Sequence, residues 1–303
     1  MTQPTIGFIG VGLMGHGMAK NIALKGYPLV VMGHRNREPV DHLISLGARE
    51  AATPRELAAQ CDIVHVCVTG STQVEALLRG PDGVMASAKQ GLIVIDCSTS
   101  NPVSTLALGD ELKAAGMTLV DAPLARTPKE AEAGTLDTMV GADADTFARI
   151  KPVLECWAGT INHLGPLGLG HKMKLVNNFV AMGYAALYSE ALAIARRSGL
   201  SIDQFHAVIG AGRMRCGFYD TFMKWTLEND PNAHQFTIAN AHKDMRYMAS
   251  LANEAGAVNT LQASVKNSFA AMEAAGDGQK YVPMLADFIA HQNGLPPAAA
   301  QKG

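Results

Sequence analysis

The chain has 303 residues, of which 48 % are hydrophobic and 17 % are charged, a composition that supports a packed core and argues against a disordered chain. The formal net charge of −2 gives no basic footprint, so we expect neither nucleic acid nor a membrane surface as a partner. The five cysteines lack CxxC spacing, which favours reduced thiols in a cytoplasmic protein over a disulfide framework or a metal site. The first apolar run begins at Ile6, so we expect no signal peptide.

The first predicted element is a buried strand that ends in a glycine-rich turn. Residues 6–9 are apolar, the spacing Gly-x-Gly-x-x-Gly follows, and helix-forming residues continue to a stop at Gly26. In this setting the first glycine makes the tight turn, the second lets the backbone approach a pyrophosphate, and the third lets helix and strand pack closely. The helix N-terminus then attracts the phosphates. We therefore predict a dinucleotide site that includes Gly10, Gly12, Leu13, Met14 and Gly15.

The second strand, predicted over residues 29–32, bears on the choice of cofactor. A carboxylate about twenty positions past the glycines would bind the ribose 2′-hydroxyl of NAD. Here the chain reads Gly-His34-Arg35-Asn36-Arg, with no carboxylate before Glu38. A missing acid removes the repulsion of a 2′-phosphate, and Arg35 can pair with that phosphate. We predict that His34, Arg35 and Asn36 contact the cofactor and that NADP(H) is preferred over NAD(H).

Strand and helix patterns alternate through the first half of the chain. Alternation of this kind predicts βαβ units and a doubly wound, mainly parallel sheet of the Rossmann type, in an α/β fold. Ligands then gather at the carboxyl ends of the strands, where Val68 and Thr69 are expected to contact the cofactor. Further apolar runs are predicted as strands at residues 63–68, 92–95, 118–120 and 138–140, and helices at residues 54–60, 74–78 and 104–115.

The alternation stops near residues 165–168, which read Gly-Pro-Leu-Gly. We expect a cofactor-binding domain over residues 1–166 and a second domain over 167–303. The second domain is predicted to be all-α and to open with a long interdomain helix over residues 172–197. On this helix Lys174 and Asn178 lie one turn apart, so both can meet one ligand. A solvated lysine on a polar helix face is the alternative reading of the same pair.

Four separated segments of the chain are specific in combination. They are the opening Gly-x-Gly-x-x-Gly-x-x-Met-Ala, the run Asp-Cys-Ser98-Thr99-Ser-Asn-Pro, the run Asp121-Ala-Pro with Gly134-Thr-Leu, and the lysine segment of residues 168–178. Taken together, these segments resemble the β-hydroxyacid dehydrogenases, the group of 3-hydroxyisobutyrate dehydrogenase and tartronate semialdehyde reductase. A fifth segment, His242-Lys243-Asp244-Met245 after Phe236, is similar to the family's Lys-Asp-Leu. The resemblance covers essentially residues 5–290.

The resemblance implies an oxidoreductase that interconverts a short β-hydroxy acid and its semialdehyde. Lys174 matches the family's catalytic lysine and Asn178 its substrate-orienting asparagine. An ammonium in that position can protonate the oxygen on which charge grows when a hydride adds to an aldehyde. The family also implies a homodimer or homotetramer. It implies that Ser98, Phe236 and Asp244 bind the substrate and that Thr99 and Lys243 bind the cofactor. Lys243 and Asp244 are expected to close the site from the helical domain.

One departure from the family pattern bears on the substrate. After Pro123 the family usually shows Val-Ser-Gly-Gly, whereas this chain has Leu-Ala125-Arg126-Thr127. We expect these last three residues to bind the substrate, with Arg126 as a fork for a carboxylate, sulfonate or phosphate. The Arg-Thr variant resembles the branch that includes 3-sulfolactaldehyde reductase. An arginine that points to solvent is the alternative.

These observations favour reduction of 3-sulfolactaldehyde or methylmalonate semialdehyde, with Lys174 as general acid/base. Two alternatives remain open at this point. An enzyme of the same fold can act on glyoxylate, succinic semialdehyde or an imine, although imine-reducing relatives commonly replace the lysine. A catalytically silent NADP-binding regulatory or scaffold protein is the other alternative, which binding of NADPH without turnover of any aldehyde would support.

Overall fold

A computed structural model describes residues 3–298 and divides the chain into two compact units, Met1–Lys174 and Leu175–Gly303. The first unit contains a nine-stranded sheet in the order β3-β2-β1-β4-β5-β6-β8-β7, with β9 paired to β8. The strands are β1 (Ile6–Ile9), β2 (Leu29–Met32), β3 (Arg49–Ala51), β4 (Ile63–Val66), β5 (Ile93–Asp96), β6 (Thr118–Asp121), β7 (Leu124–Ala125), β8 (Leu136–Gly141) and β9 (Ala158–Gly165).

Helices connect the strands of the first unit and make up the second. A single π-helical turn, Glu273–Asp277, follows the penultimate α-helix. The helices are α1 (Gly15–Leu24), α2 (Glu38–Ser45), α3 (Pro54–Gln60), α4 (Ser71–Arg79), α5 (Pro102–Ala114), α6 (Pro128–Ala133), α7 (Ala144–Leu154), α8 (Leu169–Arg197), α9 (Ile202–Ile209), α10 (Gly217–Glu228), α11 (Ile238–Glu254), α12 (Thr260–Met272) and α13 (Leu285–Gln292).

The central strands β1, β4 and β5 are short apolar runs because both faces of the sheet are covered by helices. Every residue of these three strands is buried. Alternate residues of β1 enter different cores: Ile6 and Phe8 pack into one cluster and Ile9 into the other. Strands β1 to β6 pair in parallel, which confirms the predicted Rossmann-type sheet.

The far edge of the sheet differs from the prediction. Strand β8 pairs antiparallel to both β6 and β7, whereas β9 lies parallel to β8. Three strands (β3, β7, β9) and three helices (α2, α6, α7) were not predicted. Strands β3 and β7 have three and two residues, too few to show a period, and β9 is mostly exposed without alternation.

The long helix α8 begins three residues before the predicted start and ends at the predicted Arg197. The boundary between the two units falls within it, after Lys174. Beyond this boundary the second unit is helical, as predicted, and the inner faces of α8, α10, α11, α12 and α13 share one apolar core. Residues such as Met182, Phe222 and Phe269 fill this core and are almost fully buried.

A search of the described residues found no helix with the length and hydropathy needed to cross a bilayer. The same residues contain no group of three or more His, Cys, Asp or Glu side chains placed to hold a metal ion. All five cysteines are free thiols.

One buried polar side chain is expected to make the first unit less stable in acid. His65 on β4 is fully buried, stacks on Phe8 with ring centroids 5.4 Å apart, and makes no hydrogen bond through either ring nitrogen to the residues described. Burial lowers the pKa of His65 to about 3. The folded protein therefore keeps this imidazole neutral at a pH where an unfolded chain protonates it.

We expect His65→Phe to reduce the loss of stability in acid. A histidine with a lowered pKa destabilises the fold once the pH falls below the ordinary pKa of histidine. The difference in free energy of unfolding between the variant and wild type should therefore shift in favour of the variant by about 2 kcal/mol between pH 8 and pH 5. Urea unfolding at the two pH values measures this. The comparison at pH 8 is the control, since the imidazole is neutral in both states there. An equal difference between variant and wild type at both values would contradict the account.

Candidate active site

The turn between β1 and α1 has the geometry that a pyrophosphate requires. A Cβ on Gly10, whose φ is +96°, would lie 2.1 Å from the carbonyl oxygen of Cys67, and a Cβ on Gly15 would lie 2.0 Å from the oxygen of Gly10. Both positions therefore demand glycine. A Cβ on Gly12 would meet no atom within 4 Å, so the backbone there is open to an approaching group.

The N-terminus of α1 also suits an anion. The N-cap residue Met14 makes no side-chain capping hydrogen bond, and the first turn contains no acidic residue. Leu13 is 74 % exposed at the tip of the turn. Backbone N–H groups and the positive end of the helix dipole face this opening. The residues of the turn thus fit a dinucleotide pyrophosphate.

The turn after β2 carries the residues predicted to select the cofactor. His34, Arg35 and Asn36 are all exposed. The Asn36 side chain accepts a hydrogen bond from the backbone of Glu38, whereas Arg35 makes no ion pair with any residue between 3 and 298. The neighbouring Arg37 is held by two carboxylates, those of Glu50 and Asp41.

Two loops that follow neighbouring strands are joined at the carboxyl edge of the sheet. The backbone N–H of Val68, after β4, donates to Oγ of Ser98, after β5, over 3.0 Å. Ser98 is only 3 % exposed, and its own N–H donates to Asp96 Oδ1. Thr69 and Thr99, each one residue further on, are exposed and half-buried, respectively. The structure therefore brings together the two predicted loops.

A buried carboxylate fixes the beginning of α8. Asp121, at the end of β6, accepts hydrogen bonds from the backbone N–H groups of Gly168 (2.7 Å) and His171 (2.6 Å). Burial raises the pKa of Asp121, and the neighbouring His171 and these donors oppose that effect. Gly170 allows the close approach, since a Cβ there would lie 2.3 Å from the oxygen of Met139.

His171 connects this helix start to the loop that carries Ser98. The imidazole is fully buried, and its Nε2 lies 3.1 Å from the carbonyl oxygen of Ser98. Its Nδ1 lies 2.8 Å from Oγ1 of Thr105 on α5. Since a carbonyl oxygen can only accept, Nε2 carries a proton and donates it to Ser98. Lys174 follows one turn later, on a helix whose start is anchored on β6, α5 and the Ser98 loop.

The predicted substrate loop contains an unusual backbone conformation. Arg126 has a φ of +81°, in the region that favours glycine, the residue that the family resemblance expects near this position. Its Nε donates to Asp137 Oδ2 on β8 over 2.7 Å, and this pairing lowers the pKa of Asp137. Ala125 ends β7 and is half-buried, and Thr127 caps α6 through Glu130. The Asp137 contact engages only Nε, so the two terminal Nη groups of the fork make no hydrogen bond to the residues described, although the carboxylate of Glu130 attracts the guanidinium.

In the second unit, two predicted residues, Asn178 and Lys243, contact the buried carboxylate of a third, Asp244. Asp244, 1 % exposed, accepts from Nδ2 of Asn178 over 2.7 Å through Oδ2. Its Oδ1 lies 3.0 Å from Nζ of Lys243, whose ammonium also lies 5.3 Å from the ring centroid of Tyr247. Because only the nitrogen end of an amide can donate, Asp244 fixes the orientation of the Asn178 amide.

Lys174 and Asn178 lie one turn apart on α8, as predicted, and both are partly or fully buried. Phe236, half-buried, precedes α11 and packs edge-on against His234. His171 was expected to be a structural or surface residue, and its buried contacts give it a structural role. Glu50 and Asp137 were not predicted, because their partners lie 13 and 11 positions away, respectively, and no local motif marks them. Asp121 belongs to the Asp-Ala-Pro motif of the family resemblance, but its role as the cap of α8 depends on the fold.

Two family models match nearly all of the chain. Residues 5–165 match the NAD binding domain of 6-phosphogluconate dehydrogenase. Residues 168–286 match the model described as NAD-binding of NADP-dependent 3-hydroxyisobutyrate dehydrogenase. The two matches meet near the start of α8.

Individual relatives cover most of the chain at moderate identity. A 2-(hydroxymethyl)glutarate dehydrogenase of Eubacterium barkeri is 33 % identical over 251 residues, which are 83 % of this chain and 82 % of the relative. A 3-sulfolactaldehyde reductase of Escherichia coli (strain K12) is 30 % identical over 275 residues, 91 % of this chain and 92 % of the relative. The solved structure of Mycobacterium tuberculosis 3-hydroxyisobutyrate dehydrogenase with L-serine has a TM-score of 0.84 at 26 % identity, covering 95 % of this chain and 99 % of that one.

Proposed function

This chain belongs to the β-hydroxyacid dehydrogenase family of NAD(P)-dependent enzymes that act on CH–OH groups, and from that premise we propose that it reduces a short acidic semialdehyde to its β-hydroxy acid. Lys174 serves as general acid/base. Residues 1–166 form the NADP-binding domain and residues 167–303 the helical domain. The observation that carries the proposal is the pair Lys174 and Asn178 on a helix whose start is anchored by Asp121.

The chain's own groups account for the proton and the orientation of the substrate. The nicotinamide supplies or takes the hydride. As the aldehyde carbon is reduced, negative charge grows on the oxygen, and the ammonium of Lys174 stabilises and then protonates that oxygen. Asn178 can offer its second Nδ2–H, because Asp244 holds the first and thereby fixes which end of the amide is presented.

The proposed substrate is anionic, with 3-sulfolactaldehyde and methylmalonate semialdehyde favoured. The support is Arg126, which Asp137 holds through Nε so that the planar fork remains for a second, bidentate oxyanion. The relative from Escherichia coli named for 3-sulfolactaldehyde adds to this support. Initial rates with the two aldehydes, compared as kcat/KM, test the assignment. A sulfonate preference of about a hundredfold would identify Arg126 as a sulfonate ligand, and a carboxylate preference would make it a carboxylate ligand.

Replacing Arg126 should raise KM and leave kcat largely unchanged. Arg126→Ala and Arg126→Gly both remove the fork, so KM for the acidic aldehyde is expected to rise at least tenfold in each, with kcat within about threefold of wild type. The two variants should differ in stability, because glycine adopts a φ of +81° without strain and alanine does not. Urea unfolding should therefore give the glycine variant the higher midpoint. An unchanged KM in both would remove Arg126 from the substrate site.

The cofactor that we propose is NADP(H) in preference to NAD(H). The support is the exposed Arg35, which has no ion-pair partner among the described residues, together with the absence of a carboxylate from the sequence of residues 33–37. Dissociation constants for NADPH and NADH, measured by fluorescence, test this preference. A tighter complex with NADH would contradict it.

The proposed enzyme is a homodimer or homotetramer in the cytoplasm, where its five free thiols remain reduced. Its oligomerisation is supported by an apolar stripe on α8 within the second unit. Val180, Leu187 and Ile194 recur every seven residues and are 52 to 65 % exposed, with Tyr184 beside them. Such a stripe is complementary to a second copy of itself about a two-fold axis. Light scattering should show a dimer or tetramer, which Leu187→Glu weakens; a monomeric wild type would contradict this.

A further inference from the structure

The carboxylate of Glu50 lies near the end of β2, although residues 33–37, which follow that strand, include no acidic residue. Strand β3 lies parallel to β2, with Glu50 paired in register to Val31. The side chain of Glu50 reaches the turn after β2, where its Oε1 would lie 2.6 Å from a Cβ on Gly33. The end of the second strand is where this type of fold places the acid that binds a ribose 2′-hydroxyl. Here the adjacent strand supplies a carboxylate to that place.

Glu50 also forms an ion pair with Arg37, the other arginine after β2 that could bind the 2′-phosphate of NADP(H). Nη1 of Arg37 donates to Glu50 Oε1 over 2.5 Å, and Nη2 donates to Glu50 Oε2 over 3.0 Å and to Asp41 Oδ1 over 2.9 Å. The hydrogen bonds from Arg37 lower the pKa of Glu50, so the carboxylate is ionised at neutral pH. The fork of Arg37 is therefore satisfied by the protein itself, in contrast to Arg35.

We infer that Glu50 is a specificity-determining residue that limits the preference for NADP(H). Its charge opposes a 2′-phosphate and its ion pair keeps Arg37 from binding one, whereas a ribose hydroxyl can donate to the same carboxylate. This inference rests on the proposed preference for NADP(H). In that proposal Arg35 favours NADP(H), and Glu50 reduces the size of the preference.

The test compares cofactor dissociation constants of wild type, Glu50→Gln and Asp41→Asn, measured by fluorescence titration with NADPH and with NADH. Glutamine keeps the shape of Glu50, removes its charge and leaves Arg37 in an ion pair with Asp41 alone. The dissociation constant for NADPH should fall about tenfold while that for NADH stays the same or rises. Asp41→Asn is the matched control, since it removes an equal charge from the same arginine, and both constants should stay within about twofold of wild type.

The double variant Glu50→Gln with Arg37→Ala separates the two causes. If Arg37 binds the phosphate once it has lost its ion pair with Glu50, most of the gain for NADPH should disappear in the double variant. The gain should also shrink as salt concentration rises. Both are binding measurements and need no substrate.

Three results would overturn the inference: equal changes for both cofactors, weaker NADPH binding in Glu50→Gln, or an equal effect of Asp41→Asn. A different result would contradict the proposed preference for NADP(H) alone. In that case wild type binds NADH more tightly than NADPH, while Glu50→Gln still shifts the ratio of the two dissociation constants in favour of NADPH.

Discussion

Replacing Lys174 by alanine is expected to lower kcat for the acidic aldehyde about a thousandfold, the range in which a positioned general acid contributes. The ammonium is the group that we propose to protonate the substrate oxygen, and no methyl group can do so. The dissociation constant for NADPH should stay within about twofold, since the glycine turn of β1 and α1 is untouched. Initial rates and fluorescence titration on the same preparation measure both quantities.

Lys172→Ala is the matched control for this variant. Lys172 lies two residues earlier on α8 and is also half-buried, but side chains two positions apart leave a helix on different faces. Its kcat should remain within about twofold of wild type. Equal losses of kcat in both variants would show that activity depends on the positive charge of this helix and not on Lys174 in particular. An active Lys174→Ala variant would remove the lysine from the proton transfer.

Replacing Asp121 by alanine is expected to cost about 3 to 5 kcal/mol of the free energy of unfolding. The substitution leaves the backbone N–H groups of Gly168 and His171 without an acceptor in a fully buried place, and each such donor costs about 1 to 3 kcal/mol. Urea unfolding, followed by circular dichroism, measures the loss.

Asp143→Ala provides the comparison, because Asp143 also caps a helix. Its carboxylate accepts from the backbone N–H of Thr146 at the start of α7, but the residue is exposed, so water can replace it. This variant should lose about 1 kcal/mol. A loss in Asp121→Ala no larger than that in Asp143→Ala would mean that the beginning of α8 does not depend on the buried carboxylate.

The parts of the fold that the sequence predicted are those that local signals determine. The glycine spacing after Ile9 predicted the turn and α1 because Gly10 and Gly15 are required by contacts within or beside that turn, and Gly12 leaves the backbone open to an approaching group. The long helical pattern predicted α8 and placed Lys174 and Asn178 on one face. Strand β1 was predicted because a strand buried on both faces is a continuous apolar run.

The parts that were missed depend on tertiary pairing. Glu50 reaches the end of β2 only because β3 pairs with β2 in one particular register, and a three-residue strand leaves no pattern to read. Asp244 fixes the amide of Asn178 across 66 positions of sequence. The positive φ of Arg126 follows from the turn between β7 and α6, and its residue type predicts the opposite.

If the chain reduces an acidic semialdehyde with NADPH, a comparison of rates with acidic and neutral aldehydes should show it. NADPH oxidation would be followed with methylmalonate semialdehyde, with 3-sulfolactaldehyde, and with isobutyraldehyde, which has the carbon skeleton of the first but no carboxylate. We expect kcat/KM for at least one acidic aldehyde to exceed that for the neutral one by about a hundredfold, which is near 2.7 kcal/mol. Equal values for all three, or NADPH binding without oxidation by any of them, would contradict it.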